Sequence, residues 1–186
     1  MSLEIKKILD FWFVETSDEK KFKKDLKFDK IIKDRFSSNY ELAIQNKLDS
    51  WHDSARGCLA LIILFDQFSR NLFRESGKAF EQDEKSKSVL HKIVANNFLD
   101  EMGENERLFA LLPLIHSENI IDHEKAYELM DKYLAKHPGL EKIKKFWLDH
   151  TDAIKRFGRY PHRNKFLNRI SSKDEIEFLK SPNSSW

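Results

Sequence analysis

Cysteine is nearly absent from this chain of 186 residues: Cys58 is the only one. An intrachain disulfide is therefore excluded, and so are thiolate metal clusters. Cys58 lies between Gly57 and Leu59 in an apolar run. It reads as a buried, inert thiol, because Arg56 points to another side of a helix and no other neighbour activates it. Glycine and proline are scarce, at five and four copies. No glycine-rich phosphate loop exists, which argues against P-loop or Rossmann nucleotide binding, and no cofactor is expected. Net charge is almost absent, since 33 basic and 31 acidic residues leave +2. DNA is thereby disfavoured as a partner, and any electrostatic attraction must be local. The longest uncharged apolar run, Cys58 to Phe65, has eight residues, far short of a membrane span of ~20. Glu4, Lys6, Lys7 and Asp10 occupy the first turns, where a signal peptide would need an apolar stretch. Together these absences predict a soluble cytoplasmic protein with no membrane partner.

What is present is helical periodicity with almost no strand alternation. The chain reads as all-α, a single domain over residues 1–186, with 40% hydrophobic and 34% charged residues in a globular balance. Apolar stripes predict helices from about Leu3 to Val14 and from Asp29 to Lys47. Residues 17–27 are lysine-rich and read as a short helix plus a loop. Ser54 is placed to cap a helix from about Ala55 to Asn71. That helix is apolar on nearly every side for two turns, which makes it central to the fold. Further helices are expected over Asp83–Asn97, over Glu106–Leu112 with Pro113 ending or kinking it, and from Asn119. Another follows Pro138, its inner face running from Leu140 to Phe157. Ser172-Lys-Asp-Glu175 is a capping box for a final short helix. The tail from Ser181 is expected to fray, with Trp186 able to dock. Short links between successive helices imply antiparallel hairpins, and no 34-residue repeat is found.

Three stretches carry candidate chemistry. The central helix closes on Asp66-Gln-Phe-Ser-Arg-Asn-Leu-Phe-Arg74. Asp66, Arg70 and Arg74 form one row at i, i+4 and i+8. Either Asp66 and Arg70 pair to fasten this helix to its neighbours, or Asp66 orients an arginine or moves a proton in a pocket. The second stretch is Arg156-Phe-Gly-Arg-Tyr-Pro-His-Arg-Asn164, at a chain reversal. Between Lys155 and Ile170 stand six Lys/Arg and no Asp/Glu. Arginine forks bind carboxylates and phosphates in bidentate geometry. Arg159, His162, Arg163 and Asn164 can therefore line an anion site, or the arginines can pair internally with Asp66 and Glu118. The third is Leu114-Ile-His-Ser-Glu118, where His116 beside a carboxylate suits general acid–base work, or is simply a core-edge histidine.

Other chemistries are weaker. His116, Glu118, His123, His150 and His162 can converge on a metal only without any standard ligand spacing, so none is expected. His123 and His150 lie on apolar stripes and read as core histidines. Ser69 and Ser117 lack a nucleophile elbow. RNA binding through residues 155–173 lacks an aromatic stacking platform.

The run Leu59-Ala-Leu-Ile-Ile-Leu-Phe-Asp-Gln-Phe-Ser-Arg-Asn-Leu-Phe-Arg74 resembles the signature of the bacterial family called domain of unknown function 924. So do Ile8-Leu-Asp-Phe-Trp-Phe13, Ala79-Phe-Glu-Gln-Asp83, Glu106-Arg107, Leu112-Pro-Leu-Ile-His-Ser-Glu118 and Arg156–Asn164. The resemblance covers nearly the whole chain. It departs at Ser69, where proline is usual, at Ile115, where methionine is usual, and at Asn168, where glycine is common. It implies an all-α fold similar to tetratricopeptide-repeat proteins, without their repeat sequence, and no established activity. Two functions stay open. One is a small anionic ligand, phosphorylated or carboxylated, that is bound, or bound and turned over, by Asp66, Arg70, Arg74, His116, Glu118, Arg159, His162, Arg163 and Asn164. The other is an interaction module that clamps a peptide carboxylate, or uses the same residues only to lock helices.

Overall fold

The computed structural model describes residues 2–182, 184 and 185. The possible docking of Trp186 lies outside the described residues. Every regular element among the described residues is helical. Helix α1 spans Leu3–Asp10 and runs on as a π turn over Phe11–Glu15. Helix α2, Asp18–Phe22, is five residues long and buries none of them. Helix α3, Leu26–Ile44, starts three residues before the expected Asp29, because the Asp25 carboxylate caps the backbone N–H groups of Lys27 and Phe28.

The central helix is α4, Ala55–Ile62, then a π stretch over Ile63–Phe68, then α5, Ser69–Leu72. Ser54 caps it through Gly57 N–H at 3.2 Å. Gly57 is required here, since a Cβ would stand 2.1 Å from the Trp51 carbonyl oxygen. Cys58, Leu59, Ala60, Ile62, Ile63, Leu64 and Phe68 are all fully enclosed. Burying each large side chain stabilises by about 1.5–3 kcal/mol, which explains why a helix apolar all round sits in the middle. Helices α1, α6 (Asp83–Ala95) and α7 (Glu104–Ile115) pack around α4, while α3 packs on the π stretch and α5. The buried Cys58 thiol is pushed up to about 11 by burial, so it carries no thiolate near neutral pH.

The π stretch has a local cause. In an α-helix the Ser69 N–H would bond the Phe65 carbonyl; it reaches back to Leu64 instead. The freed Phe65 carbonyl accepts the Ser69 hydroxyl at 2.6 Å. The wide turn carries Asp66 and Gln67, and π turns of this kind often accompany functional sites.

Pro113 was expected to end or kink its helix; it does not end it, since α7 runs to Ile115 with Pro113 buried inside it. Proline removes only the bond to the Phe109 carbonyl, and the His116 N–H closes the last turn onto Leu112 at 2.9 Å. Helix α8, Ile120–Tyr133, is capped by Asn119, and α9 spans Leu140–Phe157. Gly158 ends α9 at φ 67°, a left-handed position open to glycine at no steric cost. Helix α10, Lys173–Phe178, begins with the expected Ser172–Glu175 capping box. Ser184 in the tail is held by the Leu179 carbonyl at 3.1 Å. One buried cluster runs without interruption from Ile5 to Trp147, and a small second cluster of Ala153, Ile154 and Tyr160 lies beneath the C-terminal turns. No helix among the described residues is long and apolar enough to cross a membrane.

Candidate functional site

A cavity of about 280 Å³ opens where the end of the central helix, the start of α2–α3, the end of α7 and the 160–163 turn converge. Its wall includes Lys21, Lys23, Lys24, Arg70, Arg74 and Arg163, together with His116, His150 and His162. No Asp or Glu is among the described lining residues. The acids that balance these cations sit behind or beside the wall. Arg74 makes a bidentate pair with Asp29, 2.6 Å from both Nε and Nη2, and Lys24 meets Glu75 at 2.6 Å.

Asp66 lies directly behind the cavity, fully enclosed. Its Oδ1 is 2.7 Å from His116 Nδ1, its Oδ2 accepts Gln67 Nε2 at 2.6 Å, and Arg70 stands 3.6 Å away. Burial alone would raise this carboxyl. The charge and hydrogen bond of His116, with Arg70 and Gln67, outweigh burial and hold it below the usual aspartate value. An ionised Asp66 has only acceptors, so His116 Nδ1–H is the donor; in the neutral form of the ring the lone pair lies on Nε2. His116 lines the cavity with a side chain 16% exposed. A carboxylate behind Nδ1 and an accessible ring in front is the arrangement that sets a histidine's tautomer and supports the imidazolium when it forms.

Asp83, in the first turn of α6, joins two arginines. It meets Arg70 Nη2 at 2.7 Å and Arg163 Nη1 at 3.0 Å. The Arg70 contact is an ion pair rather than a well-aligned hydrogen bond, because neither Arg70 Nη2 nor Asp83 Oδ1 has a partner of good geometry. Arg70 Nη1 also donates to the Ala79 carbonyl, and Arg163 Nη2 donates to the His116 carbonyl at 2.9 Å. Arg163 lies between the rings of Phe80 and Tyr160, at 4.5 and 4.7 Å. Burial, with Arg70 adding to it and Asp83 opposing, pulls Arg163 below the ordinary arginine value. The two guanidinium groups thus share Asp83, and Arg70, which is half-buried, also has Asp66 at 3.6 Å, so the pair sits against two carboxylates.

The other histidines differ from His116. Burial, then the charge of His116, pushes His150 down to about 2. Burial, then Arg163, pushes His162 down to about 3. Both stay neutral at ordinary pH, so neither serves as an imidazolium acid. His150 Nδ1–H donates to the Phe146 carbonyl at 2.8 Å. His123 is enclosed between Thr151 at 2.9 Å and the Ser117 carbonyl at 2.9 Å, a core histidine. No group of three His, Cys, Asp or Glu among the described residues is placed to hold a metal ion.

Of the nine residues singled out in the sequence, Arg70, Arg74, His116, His162 and Arg163 line the cavity and Asp66 supports it. Glu118, Arg159 and Asn164 are not among the lining residues. Both Glu118 oxygens accept from Arg169 Nη1 at 2.8 Å, and Oε1 also accepts the Tyr160 N–H at 2.9 Å. Arg159 makes a bidentate pair with Glu175, at 2.7 and 2.9 Å. Asn164 Nδ2 donates to Ser171 at 3.0 Å. The partner of Arg159 is thus the capping-box glutamate, not Asp66 or Glu118. Sequence reasoning missed Asp83 and the three lysines. Asp83 stands in one of the family-like segments, but its only local signal is an acid at a helix start. His150 is buried, as its apolar stripe predicted, and also touches the cavity lining.

The family described as bacterial protein of unknown function, DUF924, matches residues 8–183. A solved structure titled as a protein of unknown function from Agrobacterium tumefaciens is similar, at 31% identity over 95% of this chain and 97% of that one, with a TM-score of 0.85. No curated protein matches the chain.

Proposed function

We propose that this chain, which belongs to the DUF924 family of bacterial proteins of unknown function, binds a small anionic molecule in the cavity at Arg70, Arg163 and His116. One observation carries the reading: the described lining residues include three lysines and three arginines and no Asp or Glu. A phosphate or carboxylate entering the cavity meets guanidinium forks and ammonium groups. His116, held by Asp66, adds an Nε2 that accepts a proton from the bound molecule or from a water beside it, and can return it. Arg74 contributes charge at the rim. Glu118, Arg159 and Asn164 serve the fold in this reading. At about 280 Å³ the cavity is at the small end of the roughly 300–1,000 Å³ usual for ligand pockets. That size favours a small molecule over a peptide.

The test is calorimetric titration of phosphate and carboxylate monoanions and dianions into the wild type and into a Lys23→Glu/Lys24→Glu double variant. Lys23 and Lys24 are exposed, so the variant keeps its fold. Binding by the wild type that weakens in the variant and with added salt is expected. Equal affinity in both proteins, or no binding of any anion, overturns the proposal.

A further inference from the structure

The cavity lining is of two kinds. Beside the cations it includes Phe22, Phe80, Leu112 and Phe146. Phe22 is the telling residue. It ends α2, a helix with no buried residue, and it is 60% exposed. Its ring is nevertheless ordered by other rings: it stacks on Phe109 at 6.0 Å and 20°, and meets Phe146 edge-on at 6.4 Å. Phe146 in turn lies 4.2 Å from the His150 ring. A single exposed phenylalanine needs no explanation. One that lines a cavity, flanked by Lys21, Lys23 and Lys24, combines an apolar face with positive charge at the same mouth. The face of Phe80 is already taken, since Arg70 and Arg163 sit over it at 4.8 and 4.5 Å. The aromatic surface left for a ligand is therefore that of Phe22 and Phe146, and the cationic side chains line the same cavity.

Resting on the anion-binding reading, we infer that the ligand of this cavity is an aromatic anion, an aryl phosphate or aryl carboxylate. Its ring packs on Phe22 and Phe146 and its acidic group turns toward Arg70, Arg163 and the lysines. A bare inorganic anion would leave the aromatic wall wet. An uncharged aromatic would make no use of the cationic lining. An aryl anion meets both the aromatic and the cationic side chains, and aromatic pairs add to the area they bury.

The experiment titrates phenyl phosphate and benzoate into the full chain, with inorganic phosphate, acetate and benzyl alcohol alongside, and repeats this with Phe22→Ala. Phe22 is largely exposed, so the variant should keep the wild-type circular dichroism spectrum; Phe146→Leu provides a second, volume-conserving probe. The expected result is that an aryl anion binds at least about tenfold more tightly than its bare head group. Phe22→Ala should remove most of that gain and leave the bare anion's affinity alone. The better of phenyl phosphate and benzoate identifies the acidic group. If inorganic phosphate or acetate binds as tightly as its aryl counterpart, the aromatic inference fails while the anion site stands. If benzyl alcohol matches phenyl phosphate, or if nothing charged binds, both fail.

Discussion

Arg159 and Arg163 lie one helical turn apart in sequence and do different things. Arg159 turns outward to the C-terminal clasp, where Glu175 takes it in a bidentate pair and the Ile170 carbonyl accepts a third bond at 2.9 Å. Arg163 turns inward, shares Asp83 with Arg70, and lines a cavity. In the clasp, each carboxylate has its own arginine: Glu175 has Arg159, and Glu118 has Arg169. At the cavity, Arg70 and Arg163 share Asp83, and both reach the lining of an opening. Charge closed within a clasp holds structure together; charge that also lines a cavity can attract a ligand.

Removing the shared acid should break this comparison most severely. Asp83→Ala leaves both guanidinium groups without the carboxylate between them, and should destabilise the protein by about 3–5 kcal/mol in chemical denaturation. Glu118→Ala breaks the clasp instead. It frees Arg169 and the Tyr160 N–H, for an expected cost of about 1.5–3 kcal/mol, and should leave anion affinity at its wild-type value in calorimetry. A loss of anion binding in Glu118→Ala would erase the division between the two regions.

Acid should act on the clasp in a defined window. Arg159 first, with the Ser172 backbone N–H, holds Glu175 down to about 2 from an ordinary 4.5. A depressed carboxyl stabilises the fold above its unfolded value and loses that contribution as pH falls through the folded one. The wild-type melting midpoint should therefore fall between about pH 4.5 and pH 2. In Glu175→Gln the midpoint should start lower at neutral pH, and its fall across this window should be shallower. Matching pH profiles for the two proteins would show that the clasp is not the acid-sensitive element. The smallest stability effect belongs to Lys23→Ala, within about 0.5 kcal/mol, yet it should weaken anion binding and reduce its dependence on salt.

Much of the fold was legible in the residues. The central helix, its Ser54 cap, the Ser172–Glu175 capping box and the Gly158 stop follow from local chemistry that acts within one or two turns. Asn168, where the family pattern has glycine, is left-handed at φ 54°, a conformation that asparagine tolerates better than most residues. Pro113 was misleading because its helix needed only one more turn after it. At the site, the row Asp66–Arg70 and the histidine after Ile115 were visible, but Asp83 was not. Its role depends on arginines 13 positions before it and 80 positions after it, and no local pattern records such a meeting.

By itself the sequence determined the helical class, the buried central segment and the places where acids, arginines and histidines are concentrated, because these depend on periodicity, composition and short-range hydrogen bonds. Only the tertiary structure decided which arginine met which carboxylate. That choice separated Arg163 from Arg159 and put His116 against Asp66, because ion pairing and burial depend on distance in space. Chain order constrains that distance only weakly.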